Sequence, residues 1–352
     1  MLTVSEIIDD IDRMAAIDRS NMFSHLRDFP DHLRGSLDCK PALEVESEKV
    51  FICGVGGSAI GGEILAELAS HVSSKIVSVV RGVDLPRWVD GGSLAVIVSY
   101  TGNTLETLQL FRHAEERGCA IVAVTSGGDL MKLCRERAYP VIAVPGGMQP
   151  RAALGYLLGS TAAVMESAGV GPLAAGISRS IDELATFRDS LSAEVPLERN
   201  QAKRLAGRLR DTVPVILAAK PLRPAAMRWQ TQINENAKML ASCGDIPEMN
   251  HNQIIGWMEG DNSGQCRPVV IESASCGQLM DRLVKTTVAM LQEGGLGPEV
   301  IPVPGENPIS AMLHAIVLGD HVSYYLAMLR EVDPTPVASI LAFKKRMASS
   351  SS

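Results

Sequence analysis

Residues 49–62 read KVFICGVGGSAIGG, an apolar strand running into a glycine turn and then into a helix. Residues 94–108, LAVIVSYTGNTLETL, repeat the plan: an apolar strand, a small polar turn, an amphipathic helix. Further strand-like runs flank these at 75–80, 120–125 and 139–144, with helical stretches over 59–70, 103–118 and 129–137 between most of them. Short apolar strands alternating with helices indicate a parallel sheet covered on both faces.

Working outward, residues 151–169 form a further apolar helix, and 176–211 are polar, strand-free and predicted to be connecting helices. The alternation resumes with VPVILAA (213–219), a helix over 222–242, RPVVIE (267–272), a helix over 278–292 and EVIPV (299–303). Helices over 308–329 and 336–347 close the chain, and 3–18 and about 20–35 read as two helices at its start. The fold expected is therefore α/β, with two parallel-sheet units in tandem. N-terminal helices occupy 1–40, a first unit 41–170, connecting helices 171–211, a second unit 212–330, and a C-terminal helix with a frayed ASSSS tail 331–352.

Composition narrows the function classes. The 33 Lys+Arg against 40 Asp+Glu leave a net charge of −7, and aromatic residues are only 4%. That balance speaks against a nucleic-acid binder, which needs a basic face and stacking platforms. No run reaches the roughly 18 apolar residues that span a bilayer, and MLTVSEIIDDIDRM is acidic where a signal peptide is basic, so a cytoplasmic protein is expected. The seven cysteines form no CxxC pair and the seven histidines no HExxH, which signals neither a disulfide framework nor a metal site.

Two loops carry candidate chemistry. In GVGGSAIGG, Gly54, Gly56 and Ala59 fit the GxGxxA variant of a dinucleotide fingerprint, although Arg81 and Gly82 stand where an acid on the ribose belongs. A tight packing turn would look the same. In SYTGNT, Ser99, Thr101 and Thr104 place three hydroxyls around a glycine turn at a helix N-terminus. Side-chain O–H, backbone N–H and helix dipole together can hold a phosphate there, whereas Thr104 alone would be only a helix cap.

GVGGS followed by SYTGNTLETL resembles the SIS (sugar isomerase) domain. PRAAL (150–154), NENAK (234–238), NHNQIIGW (250–257) and IxxFK (340–344) then resemble, in the same order, the bifunctional phosphoglucose/phosphomannose isomerases. The resemblance implies two SIS units, a homodimer, a phosphorylated hexose substrate, and no metal or nucleotide cofactor. It places Gly57, Ser58, Ser99, Thr101 and Thr104 at the substrate. It makes Glu235 the base that carries a proton between C1 and C2, since a carboxylate takes a proton weakly and returns it readily. Arg151 would stabilise the enediolate. His251, donated by the neighbouring subunit, would open the ring, because imidazole titrates near neutrality. Lys344, rather than the adjacent Lys345, matches the terminal lysine, and Thr335 a substrate-selecting threonine. His314 and His321 lie in no matching motif and are read as structural or exposed.

Three other readings compete. A non-catalytic SIS phosphosugar sensor needs the hydroxyls but not Glu235, His251 and Arg151 together. An NADP-dependent oxidoreductase would use the first glycine loop alone. An amino-sugar phosphate isomerase or synthase ordinarily needs an ammonia source, and the opening MLTV shows no N-terminal glutaminase cysteine.

Overall fold

The computed structural model describes residues 2–39, 47–261 and 265–349. The boundary anticipated at residues 40–41 and the last three serines of the tail lie outside these. Four short helices open the chain, α1 (Val4–Ile8), α2 (Ile11–Ile17), α3 (Met22–Arg27) and α4 (Phe29–Arg34). The sequence pattern alone predicts two longer ones. Two of the breaks fall where carboxylates take backbone N–H groups: Asp10 caps α2, and the buried Asp18 accepts from the N–H of Met22 and Phe23. The third, at Asp28, has no side-chain cap and is followed by Pro30 in the first turn of α4.

The first sheet is built from β1 (Lys49–Cys53), α5 (Gly57–Ala69), β2 (Ile76–Val80), β3 (Ser93–Val98), α6 (Leu105–Glu116), β4 (Ala120–Thr125), α7 (Gly128–Glu136) and β5 (Val141–Ala143). Helices α8 (Leu154–Ser167), α9 (Leu173–Asp189) and α10 (Gln201–Leu209) lead to the second. That comprises β6 (Val213–Ala219), α11 (Arg223–Asn236), β7 (Ser242–Ile246), α12 (Gln253–Glu259), β8 (Cys266–Glu272), α13 (Gln278–Glu293) and β9 (Glu299–Pro302). The chain then runs through α14 (Pro308–Leu329) and α15 (Ala338–Ser349).

Both sheets are parallel throughout, in the orders β2-β1-β3-β4-β5 and β7-β6-β8-β9. One correction to the sequence reading falls here. The helix anticipated over 222–242 ends at Asn236, and SCGDI (242–246) pairs with β6 as an edge strand. Its glycine and aspartate are poor strand formers, so the pairing comes from the sheet rather than from local propensity.

Strand side chains alternate between two layers, as a period of two requires. Val50, Ile52, Val96, Ile216, Ala218, Val269 and Ile271 face one shared core, filled by α8, α9, α10, α11 and α14. Phe51, Cys53, Ala95 and Ile97 turn outward under α6 and α7. Leu217 and Val270 do so against Trp257, Val284 and Leu291. The molecule is thus two sheets on either side of a common helical layer.

Helix α14 is the axis of that layer. Its length and mean hydropathy of 1.2 would suit a membrane span, contrary to the sequence expectation, but the apolar window is 100% buried inside the protein. Gly319 lets α11 approach it closely, since a Cβ there would lie 2.1 Å from Trp229 Nε1. That indole N–H donates to Ala315 O at 2.7 Å. His314 and His321 are buried in α14, each with Nδ1 2.8 Å from the carbonyl one turn back. They are core histidines, in keeping with their place outside every motif.

Candidate active site

β1 and β3 are neighbours in the first sheet, in register from Lys49↔Ser93 to Cys53↔Ile97. The chain leaves them in opposite directions along the sheet, so a crevice forms between the two loops at their C-terminal ends. The loops are tied together: the Tyr100 N–H donates to Ser58 Oγ at 3.2 Å. Ser99, buried, lies with its hydroxyl 3.4 Å from that of Thr104, while Thr101 is exposed and accepts from the Asn103 N–H. Thr104 is the N-cap residue of α6 by backbone position, yet its side chain makes no capping bond. Gly56 leaves α5 uncapped in the same way. Two helices of 13 and 12 residues therefore open onto one crevice without a side-chain cap, an arrangement that favours an anion.

Arg151 lies immediately beside this crevice. A Cβ on Gly57 would come within 3.1 Å of Arg151 N, so only a glycine lets the loop lie this close. The sequence reading puts Arg151 at a helix start, but α8 begins at Leu154 and the arginine sits in the turn before it. Nor is it a surface ion-pair residue, being 3% exposed. Its Nε–H donates to Asn236 Oδ1 (2.7 Å), and Nη2 donates to the carbonyls of Pro334 (2.7 Å) and Thr335 (3.0 Å). Nη1 donates to Glu235 Oε2 at 3.2 Å. Burial lowers the pKa of the guanidinium, while the Glu235 charge acts in the opposite sense.

Glu235 occupies the last turn of α11, and its side chain is 28% exposed. It borders an open cleft of ≈ 530 Å³ whose walls include Asn234, Lys238, Leu240, Pro336 and Ile340. The structure thus brings Arg151, Glu235, Gly57 and Ser58 to one place. It does not bring in the other two sequence candidates. His251 ends a short 3-10 turn after β7 and is exposed, and among the described residues no hydrogen bond or ion pair joins it to Arg151 or Glu235. Lys344 and Lys345 are both exposed on α15.

Sequence reasoning missed the groups behind the arginine. Asn236 turns to Arg151, not to Glu235 or the open cleft. Arg228, one face of α11 away, donates to the Arg151 carbonyl at 3.1 Å and pairs with Asp320 through two bonds of 2.8 and 2.7 Å. Burial pushes the Asp320 carboxyl up, against the pull of that guanidinium. A lone aspartate inside a 22-residue apolar helix was the signal, because such a charge needs a buried partner. Lys238 donates to the carbonyls of Glu235 (2.5 Å) and Pro334 (2.9 Å) and so ties the site to the 333–336 loop. Its pKa is lowered by burial and then by the Arg151 charge. The Thr335 hydroxyl is buried and has no partner among the described residues.

Two parallel sheets of one strand order, joined by a helical layer and carrying an anion crevice on the first, define a tandem SIS-domain protein. Residues 45–144 match the SIS domain, and residues 198–347 match the bacterial phospho-glucose isomerase C-terminal SIS domain. The bifunctional phosphoglucose/phosphomannose isomerase of Caldicellulosiruptor bescii is 32% identical over 335 residues, covering 93% of this chain and 99% of its own. That of Thermoplasma acidophilum is 33% identical over 306 residues, covering 85% and 89%. The chain belongs to the bifunctional phosphoglucose/phosphomannose isomerase family. A D-glucosamine-6-phosphate 4-epimerase from Sulfolobus acidocaldarius is 32% identical over 228 residues, 64% of this chain and 69% of that one.

Solved structures share the fold at low identity. A glucose-6-phosphate isomerase like protein from Thermus thermophilus superposes with TM-score 0.61 at 21% identity, covering 94% of this chain and 98% of its own. The tagatose-6-phosphate ketose/aldose isomerase of Escherichia coli gives 0.70 at 14%, covering 91% and 97%. The family match displaces the dinucleotide reading of Gly54, Gly56 and Ala59. Arg81, which stands where that reading expects an acid, pairs with Glu63 at 3.0 Å.

Proposed function

We propose that this chain is a cytoplasmic aldose–ketose isomerase that interconverts glucose 6-phosphate and mannose 6-phosphate with fructose 6-phosphate through an enediol(ate). The observation that carries this reading is the Arg151–Glu235 pair at 3.2 Å, set directly against the glycine loop of the anion crevice. The phosphate occupies the crevice, held by the Gly57–Ser58 backbone and by the hydroxyls of Ser99, Thr101 and Thr104. Glu235 takes the proton from C2 and returns it to C1. The charge that builds on the substrate oxygen meets Arg151, a fixed donor needing no reorganisation when the charge appears. A sensor would have no use for a carboxylate and a guanidinium paired at the rim of a phosphate crevice.

Ring opening requires a further acid–base group, and within one chain no bond joins His251 to Glu235. We place it in the site of a second copy, in a homodimer, with Lys344 on α15 closing over the sugar. A coupled assay with glucose, mannose and glucosamine 6-phosphates tests the reaction. Turnover of the first two and not the third is expected, and an inert glucose 6-phosphate would overturn the reading. Co-refolding Glu235→Gln with His251→Ala protein tests the sharing. Random pairing makes about half the dimers mixed, each with one intact site, so roughly a quarter of wild-type activity should return. No recovery above the separate variants would put His251 outside its neighbour's site.

A further inference from the structure

The Arg151 guanidinium has five N–H donors, and the structure accounts for four of them. Nε–H is taken by Asn236, both Nη2 hydrogens by the Pro334 and Thr335 carbonyls, and one Nη1 hydrogen by Glu235. Among the described residues nothing accepts the fifth, on Nη1, the nitrogen beside the base. The three acceptors on Nε and Nη2 are neutral and fix the plane of the guanidinium, so they set which way the fifth donor faces.

The orientation of Asn236 is in turn dictated from α14. Ser323 has a single hydroxyl hydrogen, donated to the Asp320 carbonyl at 2.7 Å. Its oxygen can therefore only accept from Asn236 Nδ2, at 2.9 Å, which leaves Oδ1 for the arginine. Asn236 and Ser323 are both 0% exposed, so water cannot substitute for either bond. Asp320 also grips Arg228, which holds the Arg151 carbonyl. Main chain and side chain of the arginine are thus referenced to the same helix.

We propose that Asn236 is a positioning residue: with the carbonyls of Pro334 and Thr335 it forms a guanidinium cradle that aims the free Nη1–H of Arg151 at the reacting sugar. The proposal rests on the isomerase reading above. Without the Asn236 oxygen, Nε–H loses its acceptor in a place closed to water, and the plane of the guanidinium is no longer fixed against α14.

The kinetic test uses the full-length Asn236→Ala protein. The turnover number for glucose 6-phosphate should fall about 10–100-fold, the size of a misplacement effect, with KM within about threefold. Asn236→Asp, which keeps an acceptor for Nε–H, should recover most of the loss. A change confined to KM, or an aspartate variant as slow as the alanine one, would overturn the proposal. Should Asn236→Ala not fold, Ser323→Ala carries the same test: the freed amide can flip, and turnover should drop severalfold at constant KM, whereas unchanged turnover would refute the relay.

A second arm does not need activity. Methylguanidinium should bind Arg151→Ala protein, read as a thermal shift, and bind at least about tenfold more weakly when Asn236→Ala is added. Equal affinity in both backgrounds removes the cradle. If the wild type shows no isomerase turnover while this difference persists, the reaction reading has failed and the cradle has not.

Discussion

At the C-terminal edge of the first sheet, the loops after β1 and β3 offer Gly57, Ser58, Ser99, Thr101 and Thr104, with no acidic residue among positions 54–58 and 99–104. At the same edge of the second sheet, the loops after β6 and β8 carry Lys220, Glu272, Ser273 and Cys276, with Asp281 in the first turn of α13. The strand order repeats, so both edges have a crevice at the point where the chain reverses. The second encloses ≈ 10 Å³, barely a water molecule's requirement, and two carboxylates line it. A phosphate would meet both crowding and repulsion there. The comparison teaches that duplicating a fold duplicates a place, not a chemistry. On the reading proposed above, the first unit holds the anion and contributes Arg151, while the second supplies Glu235 from α11, which starts at its own reversal point but ends at the first unit's crevice.

That division of labour predicts a clean split in kinetic constants. Glu235→Gln keeps the shape and removes the base. Turnover should fall by at least about 10³, ~4 kcal/mol of barrier, with phosphosugar affinity nearly intact. More than a tenth of wild-type turnover would remove Glu235 as the sole base.

Ser99→Ala with Thr101→Val should do the reverse. Hydrogen bonds to a charged group are worth ~1.5–3 kcal/mol, so KM should rise about 100-fold while turnover at saturation changes little. Normal substrate binding by the double variant would move the phosphate away from the first crevice and dissolve the comparison.

The shared layer sharpens it from another side. Burial pushes the His321 imidazole down to about 4, and Nε2 has no partner among the described residues. Below pH 6.5 the unfolded chain takes a proton that the folded one refuses, so stability falls as pH drops. Between about pH 7 and about pH 5 the wild type should lose about 2 kcal/mol more than His321→Phe protein, measured as urea midpoints. Because α14 belongs to both units, sheet and helix signals should change in one transition. Two separate transitions would mean that the units are energetically independent.

The smallest effect is expected at the second crevice. Glu272→Gln should leave KM for glucose 6-phosphate within about twofold, since among the described residues no bond links it to the site. A marked fall in KM would show that the second crevice does bind phosphate once its repulsion is relieved.

Most of the fold was legible because the strands are continuous apolar runs between glycine turns: KVFIC, SLAVIV and AIVAVT could hardly be anything else. SCGDI was not, since nothing local makes it a strand and only the exposed edge of β6 does. The candidate site was legible where a residue type announces its chemistry, as the hydroxyls of SYTGNT do. It was not legible where the role belongs to the other end of a contact. Asn236 stands next to Glu235 in sequence, yet helical geometry turns it onto Arg151, 85 positions away. Arg228, Asp320 and Ser323 act only through that arginine, and no spacing along the chain connects them to it.

The position of α14 also governs how the protein can be made. Phe23 of α3 rests its ring 4.9 Å from Tyr324 and 5.9 Å from His321, so the opening helices are covered by residues synthesised roughly 300 positions later. At ~5–20 residues per second, the roughly 300 intervening residues keep a ribosome busy for about 15–60 s. Throughout that interval Ile8, Met22 and their neighbours have no α14 to bury them. The nascent first unit must wait with that apolar flank uncovered until α14 has been made.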